Sequence, residues 1–180
     1  QSVTFKAIKR MSDNWQMLGS YTYSRTLGWR TDAADFASGL GDSPNDNLFA
    51  YGRTFYDRPH LLKISGSVIL PLDISMGAFF RFQSGQPARR SIETPERLNQ
   101  GWVTVPVEET GSERYPNVFT VDFRIGKIFQ IPLGNIEAMF DVFNLTNGNP
   151  ITDQGWTIYD SLGTVEEILP PRIARIGVKW

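Results

Sequence analysis

Few residues in this 180-residue chain have both the type and the spacing to do chemistry. There is no cysteine, which excludes thiolate catalysis, thiolate metal sites and disulfides. The single histidine, His60, follows Asp57-Arg58-Pro59 and has no second imidazole with which to share a metal. A metal site would therefore rest on carboxylates alone, and His60 reads as a polar anchor at the lip of a strand. Glu108–Glu109 and Glu166–Glu167 are adjacent pairs whose side chains point apart on an extended chain. That arrangement suits solvated loop charge better than general acid–base work. Asp32, Asp35, Asp42 and Asp46 share one loop with Gly, Ser and Asn, at a spacing that matches no EF-hand. A cation site and a merely hydrated loop both remain open there. The expectation is a protein that is not an enzyme and needs no cofactor.

The charges with a positional pattern lie elsewhere. Arg124, Asp141 and Arg175 each interrupt a segment in which apolar and polar residues alternate, so the elements that carry them come first. Period-two alternation dominates the sequence and no comparable helical period competes with it. Seven candidate strands cover residues 2–10, 15–27, 60–70, 75–86, 118–130, 136–146 and 172–180. Five Trp, six Tyr, twelve Phe, 16 Gly and 11 Pro suit strands and turns. Eighteen basic against 19 acidic residues give a net charge of −1, which argues against nucleic acid as a partner.

The connections are unequal and alternate strictly. Three are tight, "MSDN" (11–14), "PLDI" (71–74) and "PLGN" (132–135); three are long and polar, about 28–59, 88–116 and 148–170. Long loops inside a compact soluble domain are uncommon, whereas short turns at one end and long loops at the other mark an outer-membrane β-barrel. No run of about 18 apolar residues exists to form a membrane helix. In lipid, every backbone N–H and C=O must be paired, so the spanning sheet closes on itself and shows lipid on one side and a lumen on the other. The predicted fold is therefore all-β, an antiparallel transmembrane β-barrel segment of about seven meandering strands. With short turns periplasmic, Trp15, Phe129 and Trp180 fall near the inner interface and Tyr21 and Tyr23 near the outer one, two aromatic girdles. Arg124, Asp141 and Arg175 fall on consecutive strands at similar height on the polar side. Opposite charges on neighbouring strands attract, so an ion ladder facing the lumen is expected, with Lys63 and Arg81 further round.

"YDRPHLLKISGSVILP" (56–71), "RFQSGQP" (81–87), "VDFRIGKIF" (121–129), "FDVFNLTN" (140–147) and "ILPPRIARIGVKW" (168–180) resemble the C-terminal barrel strands of TonB-dependent outer-membrane receptors. The group whose members carry a carboxypeptidase-regulatory-like N-terminal domain is the most similar in these motifs. The resemblance implies a 22-strand barrel around a plug, an energy-coupling segment that meets TonB, location in the cell outer membrane of a Gram-negative-type bacterium, and import of a bulky nutrient. It implies that 1–180 is the C-terminal part of a longer receptor, with plug and signal peptide outside it. It also implies that the terminal aromatic strand is read by the barrel-assembly machinery. Partners would be outer-membrane lipid, that machinery, the TonB system and an unknown ligand.

Two rivals stand beside this reading. One is a small self-standing barrel of about eight strands with a structural or adhesion role, its extra strand within 99–110 or 156–168. The other is a soluble β-sandwich that binds carbohydrate through Trp102 and Trp156. In either membrane reading these two loop tryptophans serve to stack on a ligand or to pack loops on one another. The terminal strand carries its own test: deleting Trp180 from the full-length protein is expected to lower its yield in outer membranes, and undiminished insertion would remove the assembly role.

Overall fold

A computed structural model of the chain describes residues 1–29, 48–49, 51–99 and 101–180. The Asp32–Asp46 cluster lies outside the described residues. In chain order the strands are β1 (Ser2–Ser12), β2 (Trp15–Ser24), β3 (Leu27–Trp29), β4 (Tyr51–Arg53), β5 (His60–Leu70), β6 (Ile74–Gln83), β7 (Pro87–Ala88) and β8 (Ser91–Glu93). Then follow β9 (Thr104–Pro106), β10 (Glu113–Arg114), β11 (Val118–Ile131), β12 (Gly134–Phe143), β13 (Ile151–Gln154), β14 (Thr157–Ile158), β15 (Val165–Ile168) and β16 (Ile173–Lys179).

Seven of these form one antiparallel meander in the order β1-β2-β5-β6-β11-β12-β16. They correspond to the seven strands read from alternation, with ends shifted by a few residues. Six of the seven hold ten to fourteen residues, enough to cross a hydrocarbon layer when tilted. The hairpin β1–β2 closes through Asp13 and Asn14, both at positive φ (51° and 64°). Two such residues give a turn whose twist matches the flanking strands, and Asp and Asn tolerate that region better than most side chains. At the β11–β12 turn Gly134 takes φ 141°, a conformation closed to residues with a Cβ.

The sheet is a single layer. Apart from Val142, which is buried, its apolar side chains are exposed or half-buried: Phe5 is 66% exposed, Val178 70% and Ile176 80%. The chain exposes 12302 Å², against about 8,800 Å² for a compact soluble monomer of this mass. No second sheet covers either face among the described residues, so the sandwich expectation is not met. Nor does β1 pair with β16, so the sheet does not close on itself as a small barrel would.

Where described, the long connections hold secondary structure of their own. Among the described residues they carry nine short strands that pair with one another and not with the main sheet. β3 pairs with β4, β7 with β10, β8 with β9 and, in parallel, with β14, and β13 with β15. The segments considered for an eighth spanning strand, 99–110 and 156–168, hold β9, β14 and β15 and stay within this loop layer. Almost all burial is found here and at the adjoining strand ends: Asp57, Ser84, Ala88, Thr110, Tyr115 and Asn144.

Close approach explains one motif. A Cβ on Gly85 would lie 1.7 Å from the Tyr115 carbonyl oxygen, while the Gly85 N–H donates to Asn117 Oδ1 at 3.0 Å. Gly85→Ala is expected to push the two strands of the second loop apart at a cost of about 2 kcal/mol. Faster amide hydrogen exchange over 84–117, with the seven-stranded sheet unchanged, is the readout.

Candidate functional site

Directly opposed residues on neighbouring strands share a face, so the register assigns every side chain of the sheet. On the polar face, Gln16, Ser67, Gly77, Arg124, Asp141 and Arg175 form one row across six strands. Asp141 is 5% exposed and lies between two guanidinium groups. Arg124 donates through Nη2 to Asp141 Oδ2 at 3.1 Å and through Nε to Oδ1, and Arg175 donates to Oδ2 through Nη2 at 2.7 Å and Nε at 3.0 Å. The Arg175 guanidinium also sits 5.4 Å from the Phe143 ring centroid. Two charge-assisted forks on one carboxylate fix strand height across β11, β12 and β16. A hollow of about 320 Å³ lies beside them, lined by Gly77, Phe79, Asp122 and Phe143.

Lys63 and Arg81 are not in that row. They oppose each other four residues toward the loop end, in a row running Lys6, Ser20, Lys63, Arg81 and Thr120. Arg81 donates to Gln83 Oε1 at 2.6 Å. Among the described residues, no carboxylate forms an ion pair with Lys6, Lys63 or Arg81. The expected ladder of opposite charges thus stops at three residues, and a second row holds cations only.

The apolar face carries aromatic residues at both ends. Trp15 and Phe129 stand near the tight turns, and Trp180 reaches the β11–β12 turn, its Nε1 3.4 Å from where a Cβ on Gly134 would be. Two lysines on this face bend to the same level: Lys9 Nζ lies 4.1 Å from the Trp15 ring centroid and Lys127 Nζ 5.2 Å from that of Phe129. Long cationic side chains at a membrane interface behave this way, stem in lipid and head in water. At the loop end Tyr21 and Tyr23 flank His60, whose Nδ1 is 2.8 Å from the Tyr21 hydroxyl. His60 is therefore part of the aromatic cluster at the loop end. The shared parity of Tyr21 and Tyr23 with an opposing His60 was the available signal.

Above the sheet, two buried polar residues tie the three long loops together. Asp57 is fully buried. Its Oδ1 accepts the Thr26 N–H at 2.8 Å, and its Oδ2 accepts from Arg53 at 2.9 Å and from Arg114 at 2.6 Å. The Arg114–Asp57 contact joins the first loop to the second, and Arg114 also donates to the Gly85 carbonyl at 3.0 Å. Burial pushes the Asp57 carboxyl up, but the Thr26, Arg114 and Arg53 hydrogen bonds outweigh it and hold the group below its ordinary 3.8. Tyr115 joins the second loop to the third. Its hydroxyl donates to Asp153 Oδ1 at 2.9 Å and accepts from Trp156 Nε1 at 2.9 Å. Burial pushes the Tyr115 phenol up. Sequence reasoning missed Asp57, Arg114 and Tyr115, because apart from Arg53 their partners are distant in the chain and follow no period.

Trp156 is thus engaged in loop packing, edge-on to Tyr115 with ring centroids 5.6 Å apart. Trp102, 56% exposed, remains turned to solvent. Glu108 does not stand free as solvated charge. Arg90 grips it through Nη2 and Nε, each at 3.0 Å, and holds its carboxyl below the usual range. No group of three or more His, Asp or Glu positioned for a metal occurs among the described residues.

The single-layer meander, its two unlike faces and the tied loops at one end define an all-β, antiparallel transmembrane β-barrel segment. Two solved structures of the ferripyoverdine receptor FpvA from the outer membrane of Pseudomonas aeruginosa match it, one bound to ferripyoverdine and the other to a heterologous pyoverdine with iron. Both have a TM-score of 0.56 and 14% sequence identity, a likeness of fold. The match covers 98% of this chain and 19% of each receptor, so the chain spans about a fifth of their length. No protein-family model and no curated protein matches the chain.

Removing the Asp57 carboxylate leaves Arg114, Arg53 and the Thr26 N–H without their shared acceptor. Asp57→Ala is expected to destabilise the loop layer by about 2 kcal/mol, less than a fully buried pair because both arginines are partly exposed. Because the folded carboxyl titrates below its unfolded value, the stabilisation is complete above about pH 4 and is lost as pH falls through the lower folded value. Limited proteolysis of the loops across pH 2 to 6 measures both effects, with the transition reduced in Asp57→Ala.

Proposed function

We propose that this chain forms part of the barrel wall and the outer loops of a TonB-dependent receptor that imports a bulky nutrient across the outer membrane. The observation that carries the reading is the uncovered seven-strand sheet: one face almost wholly apolar and ringed by aromatics, the other polar and charged, with neither edge paired. A sheet of that kind is stable where lipid covers the apolar face and further strands cover the edges. Strands outside this chain would complete the barrel, consistent with its spanning about a fifth of the receptors it resembles. The motif resemblance supplies the TonB coupling and the plug; the loop layer supplies a tied outer rim above the lumen. The last strand, ending on Trp180, would be presented to the barrel-assembly machinery.

In this role the chain does positioning and not bond-making. The Arg124–Asp141–Arg175 row locks three strands at one height, the aromatic and lysine pairs set the depth of the wall in the bilayer, and Asp57 and Tyr115 hold the loops as one body. Ligand contacts would then come from exposed loop groups such as Trp102, together with parts of the receptor beyond this chain.

Single-cysteine variants of the full-length protein in outer membranes test the reading. Val121→Cys on the apolar face is expected to resist a water-soluble maleimide and to react with a lipid-soluble one. Ser67→Cys on the polar face is expected to show the reverse. Equal reaction of both sites with the water-soluble reagent would sink the membrane reading.

A further inference from the structure

The polar face contains the same motif twice, once complete and once lacking its anion. In the complete version, Asp141 on the middle strand stands between Arg124 and Arg175 on the flanking strands. In the other, Ser20 on the middle strand stands between Lys6 and Lys63, with Arg81 opposed to Lys63 on the next strand and Thr120 beyond it. Like charges directly opposed across strands repel. No carboxylate of the described residues relieves them, and the one hydrogen bond of Arg81 goes to the neutral amide of Gln83. Three cations and two hydroxyls thus share one face of five neighbouring strands, while the chain as a whole carries a net charge of −1. Positive charge is concentrated on this wall near its loop end.

We propose that the Lys6–Ser20–Lys63–Arg81 row is a binding site for an anionic group of the carboxylate or phosphate class, seated over the Ser20 hydroxyl as Asp141 is seated between its two arginines. The inference rests on the polar face being the water side of the wall. A lysine on either side supplies point charge, Arg81 supplies a planar fork, and Ser20 and Thr120 supply hydroxyl donors. The group reaches the row in one of two ways, on a side chain packed against the wall or on a free solute in the lumen.

The test uses the full-length protein in outer membranes and reads Lys6 and Lys63 by peptide mass spectrometry. A zero-length carbodiimide coupling reports a carboxylate carried by polypeptide. The expected product is an amide between Lys63 or Lys6 and an Asp or Glu side chain, reduced several-fold in Arg81→Gln. Acylation by a water-soluble amine reagent reports a free anion. Citrate or inorganic phosphate is then expected to slow acylation of both lysines several-fold relative to chloride at equal ionic strength, and Arg81→Gln to abolish that protection. Either result supports the site and names its source. If no coupling forms and both lysines react at one rate in all three anions, the site does not exist, while the barrel reading stands. If the lysines react only with a membrane-dissolved reagent, the polar face is not on the water side and both proposals fall.

Discussion

Because successive side chains of a strand point to opposite faces, a one-residue slip between β6 and β11 would turn Arg124 toward the apolar side and Phe123 toward the polar side. Everything else in this chain depends on that slip not occurring. The apolar face is continuous only because Phe123 opposes Ala78 on one side and Val142 on the other, and these in turn oppose Gly66 and Ala174. Between β6 and β11 the Gly85 N–H donates to Asn117 Oδ1 at 3.0 Å at the loop end; elsewhere register is held by tight turns and by Asp141 between its two arginines in the last three strands. At the loop end, Asn144 holds the chain as it leaves β12. Its N–H donates to Asp122 Oδ1 at 2.9 Å and its side-chain amide donates to the Gly148 and Pro170 carbonyls at 2.8 and 2.9 Å.

What was readable in the sequence and what was not divide along the same line. Strands such as Leu62-Lys63-Ile64-Ser65 declare themselves, because each residue's face follows from its neighbour's. The turns declare themselves through Asp, Asn and Gly. The Arg124–Asp141–Arg175 row was within reach because a single tight turn and the end of the chain fix the heights of three adjacent strands. The partnership of Lys63 with Arg81 needed the register across a three-residue turn, and their height relative to Arg124 needed the far side of a long loop. Asp57 was beyond reach altogether. Its partners come from Thr26, Arg53 and Arg114, and nothing in the composition around them marks the meeting.

The quoted motifs gain physical content from these contacts. In "YDRPHLL" the aspartate is the buried acceptor of the loop layer and the arginine donates to the Phe55 carbonyl at 2.8 Å and to Gln86 Oε1 at 2.8 Å. In "QSGQP" the glycine permits the Tyr115 backbone to pass, and Ser84 Oγ accepts the His60 N–H at 3.1 Å. In "FNLTN" both asparagines sit at positive φ, and Asn147 Oδ1 accepts the Arg172 N–H at 2.9 Å. Each motif lies where a strand meets a loop, which is where a backbone entering or leaving a ladder needs side chains as substitute partners.

The two loop ties are arranged in series. Asp57 links the first loop to the second and Tyr115 links the second to the third, with the parallel β8–β14 pair beside it. The middle loop is therefore a keystone. Insertions or deletions in the first or third loop disturb one joint, whereas a change of length in the middle loop loosens both. Changes of loop length are therefore tolerated best at the two sides of the loop layer and least at its centre.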